Sequence, residues 1–473
     1  MTDPLLFLMR SPLYVRNFES VLWELGARGL RVTVLFEERK QGDEGGVDTL
    51  RRLCRKHESL GYQLLAPLAL GPRGQVRKAL RAGQDYLRYF DAPYGDALKL
   101  RSRVTGRVPD RVEHAIAASL GRWPRGRRTM VSAARSMDHR LGEEPEIRRE
   151  LEARRPALLV VTPMVQLRSR QADWVRAAHG LGIPTMLCIH SWDNLTNKGV
   201  MHALPDRVVV WNDAQRREAV ELHGASTESV VVAGAWPYDH WFGWQPRRSR
   251  SELCRELRLA ADRALFLSLC SSRFSAEGER AAVLRWVRAL RSSADHRLRG
   301  ANVIVRPHPL NAAEWAEPSA TGLTGVRVFP RGGADPVDNA SRSDYFDSMT
   351  HADAVVGINT SALLEAAIVG RPALALPDPE FRSSQHELPH FRELAGEDGV
   401  VEVAASMEAH LGRLAGALST PGAGAERRRR VVEQFIRPRG AGPPPSARVV
   451  AAIEGLLDGV PAAPDEPSLA AIP

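Results

Sequence analysis

Three polar residues, Asn359, Thr360 and Ser361, stand between an apolar segment and a helical pattern. The apolar segment, 354–358, predicts a buried strand, and the residues after Ser361 predict a helix that leads into another strand. The first N–H groups of a helix have no partner within it and, together with the helix dipole, favour an anion such as a phosphate. Glu365 lies on the same helix face as Ser361, where its carboxylate can accept hydrogen bonds from ribose hydroxyls. The layout suits a nucleoside diphosphate, and the alternative is an ordinary helix cap beside a solvated glutamate.

An Arg-Pro-His-Pro sequence follows the predicted strand 302–305 and presents Arg306 and His308. Two prolines restrict the backbone that carries the cation and the imidazole. Both groups suit a pyrophosphate, and the alternative is a rigid loop with incidental charges.

A serine-rich turn follows the predicted strand 264–270 and consists of Ser271, Ser272 and Arg273. Its hydroxyl and backbone N–H groups could bind phosphate. Because serine-rich turns are common, this signal is weaker than that of the other clusters.

His190 directly follows the predicted strand 184–189, and Asp193 and Asn194 come soon after it. An imidazole with a pKa near neutrality can take a proton from an acceptor hydroxyl. The alternative is that these residues form a self-bonded turn.

Asp239 follows the last predicted strand of the first half, so it is a candidate for the ligand site or for a structural role there. Gly234 permits a close backbone approach at the same place.

Several motifs are absent from the sequence. There is no GxxxxGK[ST] phosphate loop, no GxGxxG after the first predicted strand, and no convincing HExxH or DxD metal motif. The four cysteines show no CxxC spacing, which argues against a zinc site and a disulfide scaffold. We therefore expect no metal and no cofactor other than a nucleotide-activated substrate.

The positive charge of the chain comes almost wholly from arginine. Lys and Arg total 65 against 56 Asp and Glu, a net charge of +9, and only five of the basic residues are lysines. Codon bias explains this usage, and attraction to anionic lipid or phosphorylated ligands is the functional alternative. The basic clusters 122–128 and 427–430 lack regular aromatic interleaving, so we expect no nucleic-acid partner.

Apolar strand patterns alternate with helical patterns along both halves of the chain, which predicts mostly parallel sheets covered on both faces. The expected fold is α/β, with two doubly wound Rossmann-like domains facing a cleft. The predicted parts are a first domain at 1–243 with a helical insertion at about 67–155, a second domain at 252–420, C-terminal helices at 421–458 and a disordered tail at 459–473. The first residues indicate structure and not a secretion signal, and no apolar run is long enough for a membrane span.

The second half resembles the GT-B glycosyltransferase superfamily, in particular its branch of CDP-glycerol glycerophosphotransferases and surface-polysaccharide transferases. The resemblance is carried by Arg306-Pro-His-Pro309, by Asp347-Ser-Met349 and by the Asn-Thr-Ser-x-x-x-Glu-Ala core that starts at Asn359. It covers about residues 260–380, and the segment 191–199 is similar to a sequence of bacterial relatives.

This resemblance implies a donor nucleotide on the second domain and an acceptor on the first. It implies ribose on Glu365, diphosphate on Thr360 and Ser361, the leaving or transferred phosphate on Arg306 and His308, and a base at His190.

The function we expect is a cytoplasmic, metal-independent GT-B-type transferase. Its donor would be a nucleotide sugar or a CDP-glycerol-type compound, and its acceptor an unidentified cell-surface component or metabolite. A peripheral contact with the inner face of the membrane is compatible with this activity. Two alternatives remain: a nucleotide-sugar 2-epimerase or hydrolase of the same fold, and a non-catalytic nucleotide-sugar binding protein.

Overall fold

The computed structural model describes residues 4–39, 42–95, 97–105, 123–316, 322–395 and 399–459. The chain divides into two compact units: unit 1 is Met1–Asp239 with Gln434–Pro473, and unit 2 is His240–Glu433. Each unit has one parallel sheet whose strands alternate with helices along the chain. The predicted α/β fold with two doubly wound, Rossmann-like domains is confirmed. The predicted disordered tail lies outside the described residues apart from Gly459.

The sheet of unit 1 has seven strands in the order β3-β2-β1-β4-β5-β6-β7. Leu5 of the first strand pairs with Val32 on one side and with Leu158 on the other. Continuous apolar runs such as Leu5–Met9 form the central strands, which are buried on both faces of the sheet. The strands are β1 Leu5–Met9, β2 Val32–Phe36, β3 Leu60–Leu64, β4 Leu158–Thr162, β5 Thr185–Cys188, β6 Arg207–Val210 and β7 Val230–Val232.

The helices of unit 1 connect these strands, and four helices of the described ranges lie between β3 and β4, where the sequence predicts a helical insertion. They are α1 Glu19–Ala27, α2 Glu44–Lys56, α3 Pro72–Arg88, α4 Leu98–Thr105, α5 Pro124–Arg140, α6 Pro145–Arg154, α7 Gln171–Gly180, α8 Asn194–Asn197 and α9 Asp213–His223. Helix α9 begins and ends as its sequence indicates: the Asn212 side chain accepts a hydrogen bond from the Gln215 N–H, and Gly224 is left-handed at the C-terminus. No helix in the described ranges is long and apolar enough to cross a membrane.

The sheet of unit 2 has six strands in the order β10-β9-β8-β11-β12-β13. They are β8 Leu265–Leu269, β9 Asn302–Arg306, β10 Val326–Val328, β11 Ala354–Gly357, β12 Ala373–Ala375 and β13 Val401–Glu402. Its helices are α10 Arg250–Glu256, α11 Glu279–Arg291, α12 His296–Arg299, α13 Asn339–Thr350, α14 Ala362–Ile368, α15 Arg382–His386, α16 Pro389–Ala395, α17 Met407–Ser419 and α18 Ala425–Val431.

The C-terminal helices are divided between the two units, whereas the sequence predicts one segment at 421–458. Helix α18 belongs to unit 2, and the last helix, α19 Pro445–Leu457, belongs to unit 1, where it contacts α1. The Ala235 N–H donates to the Ile436 carbonyl at 2.8 Å. A Cβ atom at Gly234 would lie 2.6 Å from Cγ of Pro445, so the absence of a side chain allows this close approach.

Candidate functional site

The polar loops of unit 2 follow three neighbouring strands of its sheet. β8 lies between β9 and β11, and the strand order reverses between β8 and β11. In open α/β sheets, ligands bind beyond the carboxyl ends of the strands at such a reversal. The residues after β8, at the end of β9 and after β11 therefore stand at the expected ligand-binding edge of this unit.

Arg306, the last residue of β9, is the most constrained cation at this edge. Its side chain is buried, with 4% of the residue exposed. Its Cζ atom lies 4.6 Å from the centroid of the Tyr345 ring, and its Nη2 donates to the Ala334 carbonyl at 3.3 Å. Its Nη1 atom is buried and has no hydrogen-bond partner among the residues that the structure describes. Such a buried, unpaired N–H group is unusual and marks a place for a ligand or a water molecule.

Burial lowers the pKa of Arg306, and the charges around it act in the opposite direction. The groups that raise its pKa are Tyr345, Asp344, Glu365 and Asp335. The carboxylate of Glu365, on α14, is thus one of the acidic groups whose field acts on this guanidinium. Arg306, predicted to bind phosphate, and Glu365, predicted to bind ribose, therefore interact electrostatically.

Ser271 and Asn359 join the loops after β8 and β11. The Asn359 N–H donates to Oγ of Ser271 at 3.2 Å, and the Asn359 side chain donates to the Ser384 carbonyl at 2.5 Å. Both residues are buried. In this structure they hold the two loops together, and neither presents an exposed side chain to a ligand.

Glu279 and Asn311 fix the position of the Ser271 loop. The Ser271 N–H donates to both carboxylate oxygens of Glu279, at 2.8 and 3.0 Å, and the Asn311 amide donates to the Ser271 carbonyl at 2.9 Å. Burial raises the pKa of Glu279 to about 8, while the hydrogen bond from Ser271 works against the shift. No local sequence pattern indicates this buried carboxyl group.

Thr360 and Ser361 lead into α14, which has seven residues. Ser361 is exposed, and its side chain makes no cap hydrogen bond to the helix. Oγ1 of Thr360 accepts from the Ala362 N–H at 3.4 Å. The ordinary side-chain cap at Ser361, which was the alternative in the sequence, is therefore not formed, and the Ser361 hydroxyl lies at the surface.

Ser272, Arg273 and His308 occupy the outer part of the same edge. Ser272 is half-buried, and Arg273 is exposed, with Nε 3.8 Å from the carboxylate of Glu277. His308 is half-buried in the loop after β9, and its carbonyl accepts from the Asn311 N–H at 2.8 Å. In the described part of the chain, no group of three or more His, Cys, Asp or Glu side chains could hold a metal ion.

His190 lies in unit 1 after β5, as the sequence predicts. Its Nδ1 is 3.4 Å from Oγ1 of Thr162, and its ring packs edge-on against Tyr14 at 5.0 Å. Loss of hydration lowers the pKa of His190 to about 3, although Asp193 raises it. The imidazole is therefore neutral at pH 7, but its low pKa makes it a poor match for a general base working near neutrality.

Asp193 and Asn194 form the self-bonded turn that was the alternative in the sequence. Oδ1 of Asp193 accepts from the Ser191 hydroxyl at 2.8 Å, and Nζ of Lys198 lies 3.5 Å from Oδ2. Asn194 is buried and begins α8. These contacts give both residues a local structural role.

Asp239 holds the C-terminal helix of unit 1. Its Oδ2 atom accepts from the Ser446 N–H at 2.9 Å, in the first turn of α19. Burial raises the pKa of this carboxyl group, and the contact with Ser446 lowers it. The sequence left two roles open for Asp239, ligand binding and structure. Its contacts here correspond to the structural role.

The sequence matches no protein-family model and no curated protein. Its fold is similar to several solved structures. The MnaA–UDP complex of S. aureus has a TM-score of 0.53 at 12% identity and covers 99% of both chains. A glycosyltransferase from Rickettsia africae has a TM-score of 0.52 at 10% identity, covering 97% of this chain and 99% of its own. The UDP-GlcNAc 2-epimerase from Neisseria meningitidis, bound to UDP-GlcNAc, has a TM-score of 0.51 at 10% identity, covering 96% of this chain and 100% of its own.

Matches at this level of identity establish the fold, which is the two-domain GT-B-like α/β fold. The predicted two-domain GT-B-like fold is thus confirmed. The CDP-glycerol transferase branch is not among these matches, so the finer resemblance stays a prediction.

Proposed function

We propose that the chain is an enzyme acting on a nucleotide-activated sugar, whose diphosphate and ribose are bound at the edge of unit 2 formed by the loops after β8, β9 and β11. The observation that carries this proposal is the buried guanidinium of Arg306, with its unpaired Nη1 and with the charge of Glu365 acting on it. A diphosphate oxygen would give Nη1 the partner that it lacks. The Glu365 carboxylate would accept hydrogen bonds from ribose hydroxyls.

The electrostatics of Arg306 favour an anionic ligand. Burying a cation is unfavourable unless it is paired, and hydrogen bonds between guanidinium and phosphate are among the strong ones. The Tyr345 ring holds the guanidinium plane from one side. Arg306 therefore meets an incoming phosphate in a fixed orientation, which lowers the entropy lost on binding.

The solved structures with this fold support a uridine nucleotide as the first donor to test. One was solved with UDP and another with UDP-GlcNAc. No described contact favours a glycerophosphate donor over a sugar donor. The proposed substrate is thus a UDP-sugar, with other nucleotide sugars as the next class.

Two reactions on such a substrate deserve separate tests. Transfer to an acceptor is supported by the sequence resemblance and by the fold of the Rickettsia africae glycosyltransferase. Epimerisation is supported by the fold of the Neisseria meningitidis enzyme, which is a UDP-GlcNAc 2-epimerase. The low pKa of His190 removes the most obvious base for deprotonating an acceptor hydroxyl, so epimerisation stands as an equal candidate.

Product analysis with the donor alone separates these reactions. The full chain is incubated with UDP-GlcNAc, UDP-glucose and UDP-glucuronate, and proton NMR follows the anomeric signals and free UDP. A new sugar nucleotide in the absence of an acceptor indicates epimerisation, and a donor that reacts only after an acceptor extract is added indicates transfer. If wild type and Arg306→Met give the same products at the same rate, or if no nucleotide sugar reacts under either condition, the proposal is wrong.

A further inference from the structure

A cavity of about 270 Å³ opens at the carboxyl edge of the sheet of unit 1. Its polar lining comes from the loops after β1, β2 and β4, and consists of Arg10, Glu37, Glu38, Arg168, Ser169 and Arg170. Its other walls are apolar and include Leu65, Leu68 and Trp174. The volume is slightly below the range of about 300–1,000 Å³ for drug-sized ligands, so the cavity suits a single small ring.

Arg170 supplies a donor pair that the protein leaves unused. Its Nη1 donates to the Leu68 carbonyl at 2.8 Å. Its Nε and Nη2 atoms are buried and have no hydrogen-bond partner within the described ranges. These two nitrogens carry parallel N–H bonds on one edge of the guanidinium, which is the arrangement that binds a carboxylate or a phosphate in a bidentate manner.

Glu37 provides the complementary group for hydroxyls. Its Oε2 atom accepts from Nε2 of Gln171 at 3.0 Å, and the same nitrogen donates to the Thr162 carbonyl at 2.8 Å. Burial raises the pKa of Glu37 to about 7, although Gln171, Arg10 and Arg170 lower it and Glu38 raises it further. Near neutral pH, a carboxyl group of this kind can accept a hydrogen bond from a hydroxyl or, once protonated, donate one.

The charges around the cavity favour an anion. Arg10 is paired with Glu38, with Nε 2.6 Å from Oε1. Arg168 and Arg170 also line the cavity. Glu37, the other acidic group there, is partly protonated at pH 7. Arg168 also has a left-handed backbone, with φ of 66°, and such conformations in residues other than glycine concentrate at binding loops.

We propose that this cavity binds a single sugar ring that carries an anionic group, with the anion on Nε and Nη2 of Arg170 and the ring hydroxyls on Glu37. The apolar wall suits the faces of a sugar ring, and the polar end suits its hydroxyl edge. Carboxylate and phosphate share the chemistry that Arg170 recognises. The site lies within unit 1 and does not depend on the nucleotide site proposed in unit 2.

The test is equilibrium binding of three probes to the full chain, without nucleotide, by saturation-transfer NMR and calorimetry. The probes are glucuronate, glucose 6-phosphate and uncharged glucose. We expect at least one of the two acids to bind at millimolar concentrations, roughly tenfold more tightly than glucose, because charge-assisted hydrogen bonds are stronger than neutral ones. Binding of glucuronate alone identifies a sugar acid, and binding of glucose 6-phosphate alone identifies a sugar phosphate.

Matched variants separate the site from general effects. Arg170→Met keeps an unbranched, flexible side chain but removes the guanidinium, and should abolish the preference for the acids. Arg168→Met, at an exposed position, should weaken that preference. Arg128→Met, on the exposed face of α5, should bind like wild type. Melting curves of all variants identify any that fail to fold. If Arg170→Met does not fold, the binding preference of Arg168→Met tests the proposal instead. Equal binding of glucose and both acids, or no binding of either acid to the folded wild type, would overturn the proposal.

The pH dependence tests the role of Glu37. The groups that act on it are Arg10, Arg170 and Glu38, with Gln171 bonded to its carboxyl group. Because ionised Glu37 repels the ligand anion, binding of the strongest acid probe should weaken by roughly fivefold between pH 6 and pH 8.5. Glucuronate is preferred for this series, since its carboxylate stays ionised throughout. Glu37→Gln should remove this dependence, and Glu58→Gln, at an exposed position, should keep it. An unchanged pH dependence in Glu37→Gln contradicts the assignment.

Discussion

The guanidinium of Arg306 lies against the ring of Tyr345, with Cζ 4.6 Å from the ring centroid. The pair joins the end of β9 to α13 within unit 2. A cation held over an aromatic face gains about 0.5–2 kcal/mol, and the ring also restricts where the guanidinium can point. The contact therefore positions the one cation on which the proposed nucleotide site depends most.

Replacing Tyr345 tests this positioning. Tyr345→Leu should weaken nucleotide binding by roughly tenfold, because Arg306 loses the surface that orients it. Tyr345→Phe keeps the ring and should bind nearly as well as wild type. Calorimetry with UDP on the three proteins measures the effect. If Leu and Phe give the same affinity, the ring does not orient Arg306.

The buried ion network of the helical insertion should stabilise unit 1 strongly. Asp138 on α5 accepts hydrogen bonds from Nε of Arg77 at 2.9 Å, Nε of Arg81 at 3.1 Å and Nη2 of Arg176 at 2.7 Å. Burial alone would raise the pKa of Asp138, but Arg176 and Arg81 lower it to about 2.

Asp138→Asn leaves buried guanidinium groups without their anion, and should destabilise the unit by about 3–5 kcal/mol. Because the folded pKa lies below the ordinary value, the contribution of Asp138 is present above about pH 4 and is lost as the pH falls toward 2. Asp48→Asn, on the exposed face of α2, is the matched control. Melting temperatures at pH 7 that fall equally in both variants would contradict the network's role.

Glu279 should make unit 2 less stable at alkaline pH. Its folded pKa of about 8 lies above the ordinary 4.5, so its stabilising contribution is complete below about pH 4.5 and is lost as the pH rises through 8. The loss is on the order of a few kcal/mol. Melting temperatures between pH 5.5 and 8.5 should fall less steeply in Glu279→Gln than in wild type. Glu277→Gln, two residues away and exposed, should show the same pH dependence as wild type. If the melting temperature of Glu279→Gln falls with pH as steeply as that of both, the raised pKa of Glu279 is refuted.

His190 should make the protein sensitive to acid. Its folded pKa of about 3 lies below the ordinary 6.5, so its contribution is present above pH 6.5 and is lost as the pH falls toward 3. His190→Gln removes the group that must become charged in unit 1, so its melting temperature should fall less between pH 7 and pH 4.5. His139→Gln, at an exposed position on α5, serves as the control. A wild-type slope that survives in His190→Gln would show that His190 titrates normally.

The central strands could be predicted from the sequence because they are apolar runs between turn residues. The strand predicted at 302–305 is observed at Asn302–Arg306, one residue longer. The close approach at Gly234 also agrees with the sequence, since it depends on one residue type in a local context. Local periodicity is enough for such features.

Contacts between distant segments could not be predicted. Nothing near Ile436 indicates that its carbonyl accepts from Ala235, about two hundred residues earlier, or that α19 belongs to unit 1. The aromatic partner of Arg306 and the burial that shifts the pKa of Glu37, Glu279 and His190 likewise arise only from tertiary packing. The type and position of Arg306 and Glu365 made them candidates in the sequence. Their electrostatic interaction with each other could not be predicted there.

Calorimetric titration of the full chain with UDP, CDP, GDP and ADP tests the nucleotide site most directly. Wild type should bind one nucleotide preferentially, with UDP the first expectation, while Arg306→Met and Glu365→Ala should each weaken that binding by roughly tenfold or more. Glu277→Gln, exposed on the same unit, should bind like wild type. No binding of any nucleotide to the folded wild type, or equal affinity in all four proteins, would contradict a nucleotide site built on Arg306 and Glu365.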